Sequence, residues 1–495
     1  MQTKTRVIVA GGGTAGWLTA YSLAKRLGKS LDITLIESDE IGTVGVGEAT
    51  VPTMHRFHQF FGIEEREFMR ATQATFKLGI VFDNWGAPGE SYAHTFGEIG
   101  QSNWLVEFHQ YWLVANANGF GGKLEDYCLE LKAAEAGKFA KKVGDTPLTY
   151  AFHLNATAYA GFLRQKSEAL GVRRVEGKID EVVVDKETGN IAALKLDHER
   201  NLVGDFFVDC TGFRSLLLGD ALNVEFEDWG HWLASDRAFA VQTESTESPS
   251  PYTRAIAHDI GWQWRIPLQH RTGNGIVYCS EFGDDQTAAD ILIDNLPSSA
   301  LSEPKNLRFK TGKRKKIWNK NCLSVGLASG FMEPLESTSI HLIQSTIMRF
   351  FSLFPHKKDF EVEMDYFNNS TDEEFKSIRD FLVLHYKLTT RDDSELWNYC
   401  RNMKIPDSLR EKLELYTSGS WLERNGKELF GVDSWLAVLN GQNAKANSYN
   451  PLVDTLSESK LNKIMQETRE VLAQCSSSLP DHEQFILDNC ASKIQ

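Results

Sequence analysis

Apolar residues cluster early in the chain. Thr5–Ala10 (TRVIVA) is a short β-branched run, GGGTAGW follows it directly, Leu18–Leu27 has helical spacing, and Asp32–Ile36 (DITLI) is a second apolar run. Strand, glycine turn, helix and strand in that order predict a βαβ unit. From Val51 to about Val143 the pattern is mixed and rich in Trp, Phe and His. Helical spacing returns over Ala156–Leu170. Strand-like stretches follow at Val172–Val175, Ile179–Val184 and Ile191–Leu196, with a further buried strand at Asp205–Cys210. Beyond about Ile343 the texture changes to charged, Trp-containing helices, for example Asp372–Tyr386 and Asp407–Tyr416, with almost no strand signal. Asn440–Asp454 reads as a Gly/Asn/Pro loop, and the last forty or so residues as an amphipathic helix with a polar tail. The pattern predicts an α/β body followed by a mainly helical C-terminal third.

One strand-like stretch stands apart. Along GWQWRIP (Gly261–Pro267) side chains alternate faces, so Trp262 and Trp264 point the same way. Two large rings on one face serve equally as core packing or as a wall between two compartments.

Composition narrows the function classes. Of 495 residues 42% are apolar, enough for sizeable cores, and 24% are charged, which is ordinary for a soluble globular chain. A net charge of −14 argues against a nucleic-acid binder that tracks phosphates. The one dense basic run, Lys310–Lys316, is short and reads as a solvated turn feeding a strand. Seven scattered cysteines without CxxC or metal-ligand spacing predict reduced, mostly buried thiols and no metal site. No apolar run is long enough to span a membrane, and the N-terminus enters a strand without a charged leader, so a soluble cytoplasmic protein is expected.

Gly11, Gly13 and Gly16 satisfy GxGxxG between a strand and a helix, and Glu37 ends the second strand 21 positions after Gly16. Such glycines permit a tight turn and close approach of a pyrophosphate to a helix N-terminus, while the acidic residue accepts from ribose hydroxyls. Two later features favour FAD over NAD. A second glycine-bearing segment, Gly42–Thr50, follows the acidic residue, and VDCTGFRS (Val208–Ser215) supplies a late strand ending in a glycine turn. These late returns to one cofactor resemble FAD-dependent monooxygenases more than dehydrogenases. No second GxGxxG unit is evident, which is compatible with reduced flavin arriving from a separate protein.

Four motifs in order, GGGTAGW, VGVGEATVP (Val44–Pro52), GWQWRIP and MEPLEST (Met332–Thr338), resemble the flavin-dependent halogenases of the tryptophan halogenase family. The resemblance extends to YAFHLNA (Tyr150–Ala156), VDCTGFRS, HYKLTTRDD (His385–Asp393) and NPLVD (Asn450–Asp454). It implies an FAD-binding, Rossmann-like and flavin monooxygenase-like domain over residues 1–345, with an inserted aromatic-rich segment (about 52–145) contributing to the substrate pocket, and a mainly helical substrate region over 346–495. It also implies a reaction in which reduced FAD and O2 oxidise chloride or bromide to hypohalous acid, which crosses a tunnel to an aromatic substrate. A separate NAD(P)H-dependent flavin reductase would supply the FADH2.

The resemblance assigns roles to particular residues. Beyond Gly11, Gly13, Gly16 and Glu37, it puts Thr14, Ala15, Ser38, Glu48 and Ala49 at the FAD, together with Val175, Leu327 and Ile340. The amides of Thr338 and Ser339 would hold the halide, Ser339 standing where the family more usually has glycine. His94 and Phe96, in SYAHTFG, would sandwich an indole ring, and Trp262 and Trp264 would be the barrier between flavin and substrate. Glu336 would orient the oxidant or accept the arene proton; on its own it reads as a helix start, where acidic residues are common. Lys77, in TFKLGIVFDNW, would hold or activate the oxidised halogen. Taken alone, a lysine among apolar neighbours usually snorkels to the surface. Alternation along Phe76–Phe82 predicts Lys77 and Gly79 on one face, opposite Phe76, Leu78 and Ile80. Whether the ammonium donates to the hypohalous oxygen or the amine is itself halogenated stays open.

Departures from the tryptophan-specific members concern the substrate. Their tandem tyrosines and downstream glutamate grip free tryptophan. Here the corresponding segment, Val432–Asp454, has Asp433-Ser434-Trp435-Leu436 and no glutamate. The expected substrate is therefore a simple indole or another electron-rich aromatic rather than free tryptophan. An FAD-dependent aromatic hydroxylase and a catalytically silent FAD-binding module are the alternatives, both disfavoured by Lys77, Glu336 and the tryptophan pair.

Overall fold

Thr5–Ala10, Leu31–Glu37 and Phe206–Asp209 are largely apolar and, but for Thr5, Arg6, Asp32 and the half-buried Glu37, buried, because they form the centre of a parallel sheet covered on both faces. The computed structural model describes residues 4–41, 47–103, 105–197, 200–354, 360–424, 426 and 428–492. Gly42–Val46, the start of the second glycine segment and of VGVGEATVP, lies outside the described residues. The main sheet has the order Arg173–Glu176, Leu31–Glu37, Thr5–Ala10, Phe206–Asp209, Cys322–Ser324 and Trp318–Asn319. Its first five strands run parallel, and the last turns back on its neighbour. The α/β, Rossmann-like class is as expected. The first helix, Thr14–Leu27, starts one turn earlier than the spacing predicts, directly after an extended Gly13.

A second, seven-stranded sheet runs Lys305–Arg308, Arg237–Glu244, Arg271–Tyr278, Gly261–Pro267, Tyr252–His258, Gly79–Asp83, Ser91–Thr95. The tryptophan strand therefore has a partner on each side. A third, small sheet pairs Glu48–Ala49 and Thr75–Lys77 with Ala151–Leu154.

This partition corrects the single alternating strand expected over Phe76–Phe82. The chain changes sheets at Leu78, whose N–H donates to Pro251 O and whose carbonyl accepts from Phe96 N–H. Lys77 ends the small sheet and Gly79 begins the large one. No space opens beside Gly79, because a Cβ there would lie 2.5 Å from the His94 carbonyl oxygen.

After Gly330–Phe331 the described residues hold no further strand. The helix expected at Asp372–Tyr386 runs from Glu361 to Lys387, and that at Asp407–Tyr416 extends to Gly419. Within Asn440–Asp454 only the middle is loop, since helix Val432–Gly441 enters it and a short 3-10 turn, Pro451–Thr455, closes it. The expected polar tail is a helix, His482–Cys490, because His482, Ile486 and Cys490 recur every fourth residue and are buried. Nor is Lys310–Lys316 a solvated turn throughout. Lys313 sits in strand Gly312–Arg314 at 2% exposure, its ammonium 2.9 Å from Asp372 and 3.7 Å from Glu227. All seven cysteines are free thiols, and all but Cys475 are buried. Among the described residues no helix is long and apolar enough to cross a membrane.

Candidate active site

A cavity of about 740 Å3 extends from the ends of the parallel strands to the middle of the seven-stranded sheet. Of the residues expected at a cofactor, Gly11, Gly13, Thr14, Ala15, Glu37 and Ser38 line it, as do Glu48, Ala49, Leu327 and Ile340. The three fingerprint glycines do different work. A Cβ on Gly11 would lie 2.2 Å from Cys210 O and one on Gly16 1.8 Å from Gly11 O, so both are needed for packing. A Cβ on Gly13 would meet nothing within 4 Å and would project into the space a ligand's phosphates would take. Gly16 is thus behind the wall, not on it. Val175 is also off the wall; it packs in the small core with Ile8, Ile36 and Ile191, and Gly177–Asp180 line the cavity beside it.

Glu37 is held from two sides. Trp17 Nε1 donates to its Oε2 at 3.2 Å and Arg174 Nε to its Oε1 at 2.6 Å. The tryptophan directly after the fingerprint therefore ties the first helix to the acidic residue. Two helices begin at this cavity, Thr14–Leu27 and Ser339–Ser352. Neither has a side-chain cap bond or an acidic residue in its first turn. Uncapped N-termini carry free N–H groups and partial positive charge, which suits anions. In the second helix the first internal bond is Leu342 N–H to Thr338 O, so the N–H groups of Ser339, Ile340 and His341 lack a partner within it. The residues present fit an FAD along one wall and a small anion at the second helix.

Trp262 and Trp264 both line the cavity, on one face as the alternation predicts, with ring centroids 6.2 Å apart. Trp264 lies over Gly275 of the next strand, where a Cβ would come within 2.1 Å of its ring. Trp262 Nε1 donates to Glu333 Oε2 at 3.2 Å. Burial pushes the Glu333 carboxyl up to about 7, against the opposing pull of Tyr386, Trp262 and Ser235.

Lys77 is entirely buried, which overturns the snorkelling expectation for an isolated lysine. Its Nζ donates to Ser337 Oγ at 2.8 Å and to Thr50 O at 3.1 Å, and lies 5.1 Å from the centre of the Phe96 ring. Burial pushes its ammonium down to about 7, only partly opposed by the Glu336 charge. The preceding residue is fixed as well, since Phe76 N–H donates to His482 Nε2 at 3.2 Å.

Glu336 ends a 3-10 turn, Pro334–Glu336, rather than starting the long helix; Ser337, at φ 59°, separates the two. Its carboxylate accepts from His94 Nδ1 at 2.8 Å and faces His385 Nε2 at 2.9 Å. Burial alone would raise its pKa, but the two imidazoles hold it down to about 2. The structure sets the His94 and Phe96 rings at a steep angle to one another. Their rings are 6.5 Å apart at 73°, and His94 also makes T-shaped contacts with Phe381 and Phe430. Sequence reasoning passed over two partners, Ser337 of Lys77 and His385 of Glu336. Both lie inside quoted motifs, yet only their three-dimensional pairing gives them meaning.

The sequence pattern of the tryptophan halogenase family matches residues 6–458. The chain is 36% identical to a tryptophan 6-halogenase of Streptomyces albogriseolus over 437 residues, 83% of this chain and 82% of the relative. A solved flavin-dependent halogenase from Xanthomonas campestris superposes with a TM-score of 0.98 at 47% identity, covering 100% of both chains. Another, from Brevundimonas sp. BAL3, superposes at 0.94 with 41% identity, covering 98% of this chain and 99% of that one.

Proposed function

The chain belongs to the tryptophan halogenase family, and from that premise we propose a two-component enzyme that halogenates an electron-rich aromatic through Lys77 and Glu336. At the coarser level it is a flavin-dependent halogenase. Bound FADH2, delivered by a separate flavin reductase, would supply the electrons with which O2 oxidises a halide to hypohalous acid.

The remaining steps belong to this chain's own residues. Gly13, Thr14 and Ala15 hold the pyrophosphate at the first helix, and Glu37, fixed by Trp17 and Arg174, holds the ribose. The amides of Thr338 and Ser339 hold chloride or bromide at the second helix. Trp262 and Trp264 keep the arene away from the flavin, so that halide is oxidised before carbon. Lys77 receives the hypohalous acid. With its pKa near 7, it is present both as an ammonium that can donate to the oxygen and as an amine. The arene carbon takes the halogen as the O–halogen bond breaks and the oxygen leaves as water with a proton from Lys77; the arene then loses its own proton to Glu336, ionised at working pH. The observation that carries this reading is a lysine buried with no salt bridge among the described residues, hydrogen-bonded to the residue between Glu336 and the uncapped helix.

The substrate is a simple indole or a related aromatic rather than free tryptophan. In place of a tyrosine pair, helix Val432–Gly441 presents Asp433, Ser434 and a buried Trp435 packed edge-on to Phe381. Over superposed structures, identity is also higher to the two halogenases whose descriptions name no tryptophan, 47% and 41%, than to a tryptophan 6-halogenase of Streptomyces toxytricini, 31%. The test supplies FADH2 through a generic reductase, with O2, indole, phenol, pyrrole or tryptophan, and bromide or chloride, and reads product mass. Halogenated indole is expected. Oxygenated products alone would make the protein a hydroxylase.

A further inference from the structure

A directed chain of hydrogen bonds leads to His385, which lies against Glu336. Gln442 Nε2 donates to Tyr92 Oη at 3.3 Å and to His385 O at 2.8 Å, which fixes the amide. The Tyr92 hydroxyl, having accepted, donates to His385 Nδ1 at 2.7 Å. With Nδ1 accepting from Tyr92, the imidazole proton is assigned to Nε2, which faces Glu336 Oε1 at 2.9 Å as a close polar contact outside hydrogen-bond geometry. On the other side His94 Nδ1–H donates to Oε2 at 2.8 Å. Three elements meet here: strand Ser91–Thr95 brings Tyr92 and His94, helix Glu361–Lys387 brings His385, and helix Val432–Gly441 delivers Gln442 at its end. His385 is 0% exposed and Tyr92 6%, and Phe82 stacks on both, 4.6 Å from the His385 ring and 4.8 Å from that of Tyr92. The titratable groups around Glu336 are His94, His385, Tyr92 and, more distantly, Lys77.

We propose that His385, its tautomer set by Tyr92 and Gln442, is a positioning residue that clamps the Glu336 carboxylate against His94 for the proton-removing step. The inference rests on the halogenase reading and adds to it a buried residue that does not line the cavity. The molecule contains its own control. Glu333, three positions earlier and equally buried, has no imidazole partner, and burial takes it up to about 7, whereas Glu336 is held near 2. Losing His385 should move Glu336 toward the behaviour of Glu333.

The test compares wild type with Tyr92→Phe, His385→Leu and His385→Gln in the reductase-fed indole assay, measuring kcat, KM and FAD binding from pH 5 to 9. Tyr92→Phe should lower kcat roughly 5-fold and His385→Leu roughly 100-fold, the latter at the lower end of the range expected of proton-transfer groups, at unchanged KM and FAD affinity. His385→Leu should gain an acid limb in kcat between about pH 5 and 8 that wild type lacks, so that raising the pH rescues it. His385→Gln, which returns an N–H near the Nε2 position, should recover most of the rate. If His385→Leu does not fold, Tyr92→Phe, which removes a single hydroxyl, carries the test. Unchanged kcat in Tyr92→Phe, or a pH-independent loss shared with FAD binding, overturns the positioning role alone. A wild-type enzyme that halogenates nothing overturns the halogenase reading as well.

Discussion

Replacing Lys77 with methionine should stabilise the protein while abolishing its halogenation. The native pKa of Lys77 is about 7 against an ordinary value of 10.5, because the ammonium is buried and its hydrogen bonds and the Glu336 charge do not compensate. At 1.36 kcal/mol per unit, that difference of about 3.5 units amounts to roughly 5 kcal/mol of native-state penalty once both states are protonated. Below pH 7 both folded and unfolded chains carry the proton, and the full penalty applies. Between about 7 and 10.5 the unfolded chain is protonated and the native one is not, so wild-type stability rises with pH by about 1.4 kcal/mol per unit. Above 10.5 the penalty is gone. Methionine has a similar length and no charge, so the variant should be insensitive to this titration. The assay is thermal or urea unfolding of both proteins without flavin from pH 6 to 9, alongside the halogenation assay. The stabilisation should be greatest at pH 6 and roughly 3 kcal/mol smaller at pH 9. A stability difference that is constant across this range, or a variant less stable than wild type at pH 6, would refute the account of Lys77 as a destabilising buried cation.

Three further outcomes follow from the same geometry. Gly13→Val should fold but bind FAD at least about 10-fold more weakly, whereas Gly16→Ala should lose soluble fold, because only the second places a Cβ against backbone; flavin titration and circular dichroism separate them. Glu333→Gln and Glu336→Gln should shift stability in opposite directions. Glu333, raised to about 7, carries its full burial penalty above pH 7 and loses it as pH falls toward 4.5, so the amide should stabilise by roughly 3 kcal/mol at pH 8. Glu336, lowered to about 2, contributes stability that is present above 4.5 and lost as pH falls through 2, so its amide should destabilise by a similar amount at pH 7. Lys313→Ala removes a buried partner of Asp372 and should cost about 1–3 kcal/mol in urea unfolding, with halogenation intact.

The parts of the fold that were legible are those in which a single element announces itself. The first βαβ unit was readable because both strands are buried on both faces and the glycine turn joins them. The same logic failed at Phe76–Phe82, where apolar alternation is continuous but the backbone changes partners at Leu78. Local pattern reports which face is buried, not which sheet buries it. It failed again at Lys313 and at the C-terminal helix, because a charged or polar residue such as His482 is buried only by partners distant in sequence, here Phe76 and Pro249. The site divides in the same way. Lys77 and Glu336 stand out through motif resemblance, whereas His385 and Ser337 acquire meaning only from distances across 49 and 260 residues of chain.

The segment EPLEST concentrates this logic, because its successive residues point to different compartments. Glu333 reaches behind the tryptophan wall to Trp262, Glu336 lies between His94 and His385, Ser337 accepts from Lys77, and Thr338 leads into the helix whose free N–H groups border the cavity. A regular helix could not do this, since residues three and four apart would share a face. Pro334 opens a 3-10 turn, and Ser337 breaks it at φ 59°, a left-handed conformation that costs a serine about 1 kcal/mol or more. Glycine would remove that strain but would leave Lys77 with one acceptor, the Thr50 carbonyl, in a fully buried position. An unpaired buried donor costs about as much as the strain, or more. The strained serine is therefore the less costly solution. It also makes the position of the lysine depend on the same turn that aims Glu336 at its two imidazoles, so the two reactive groups keep their relative placement through one backbone kink.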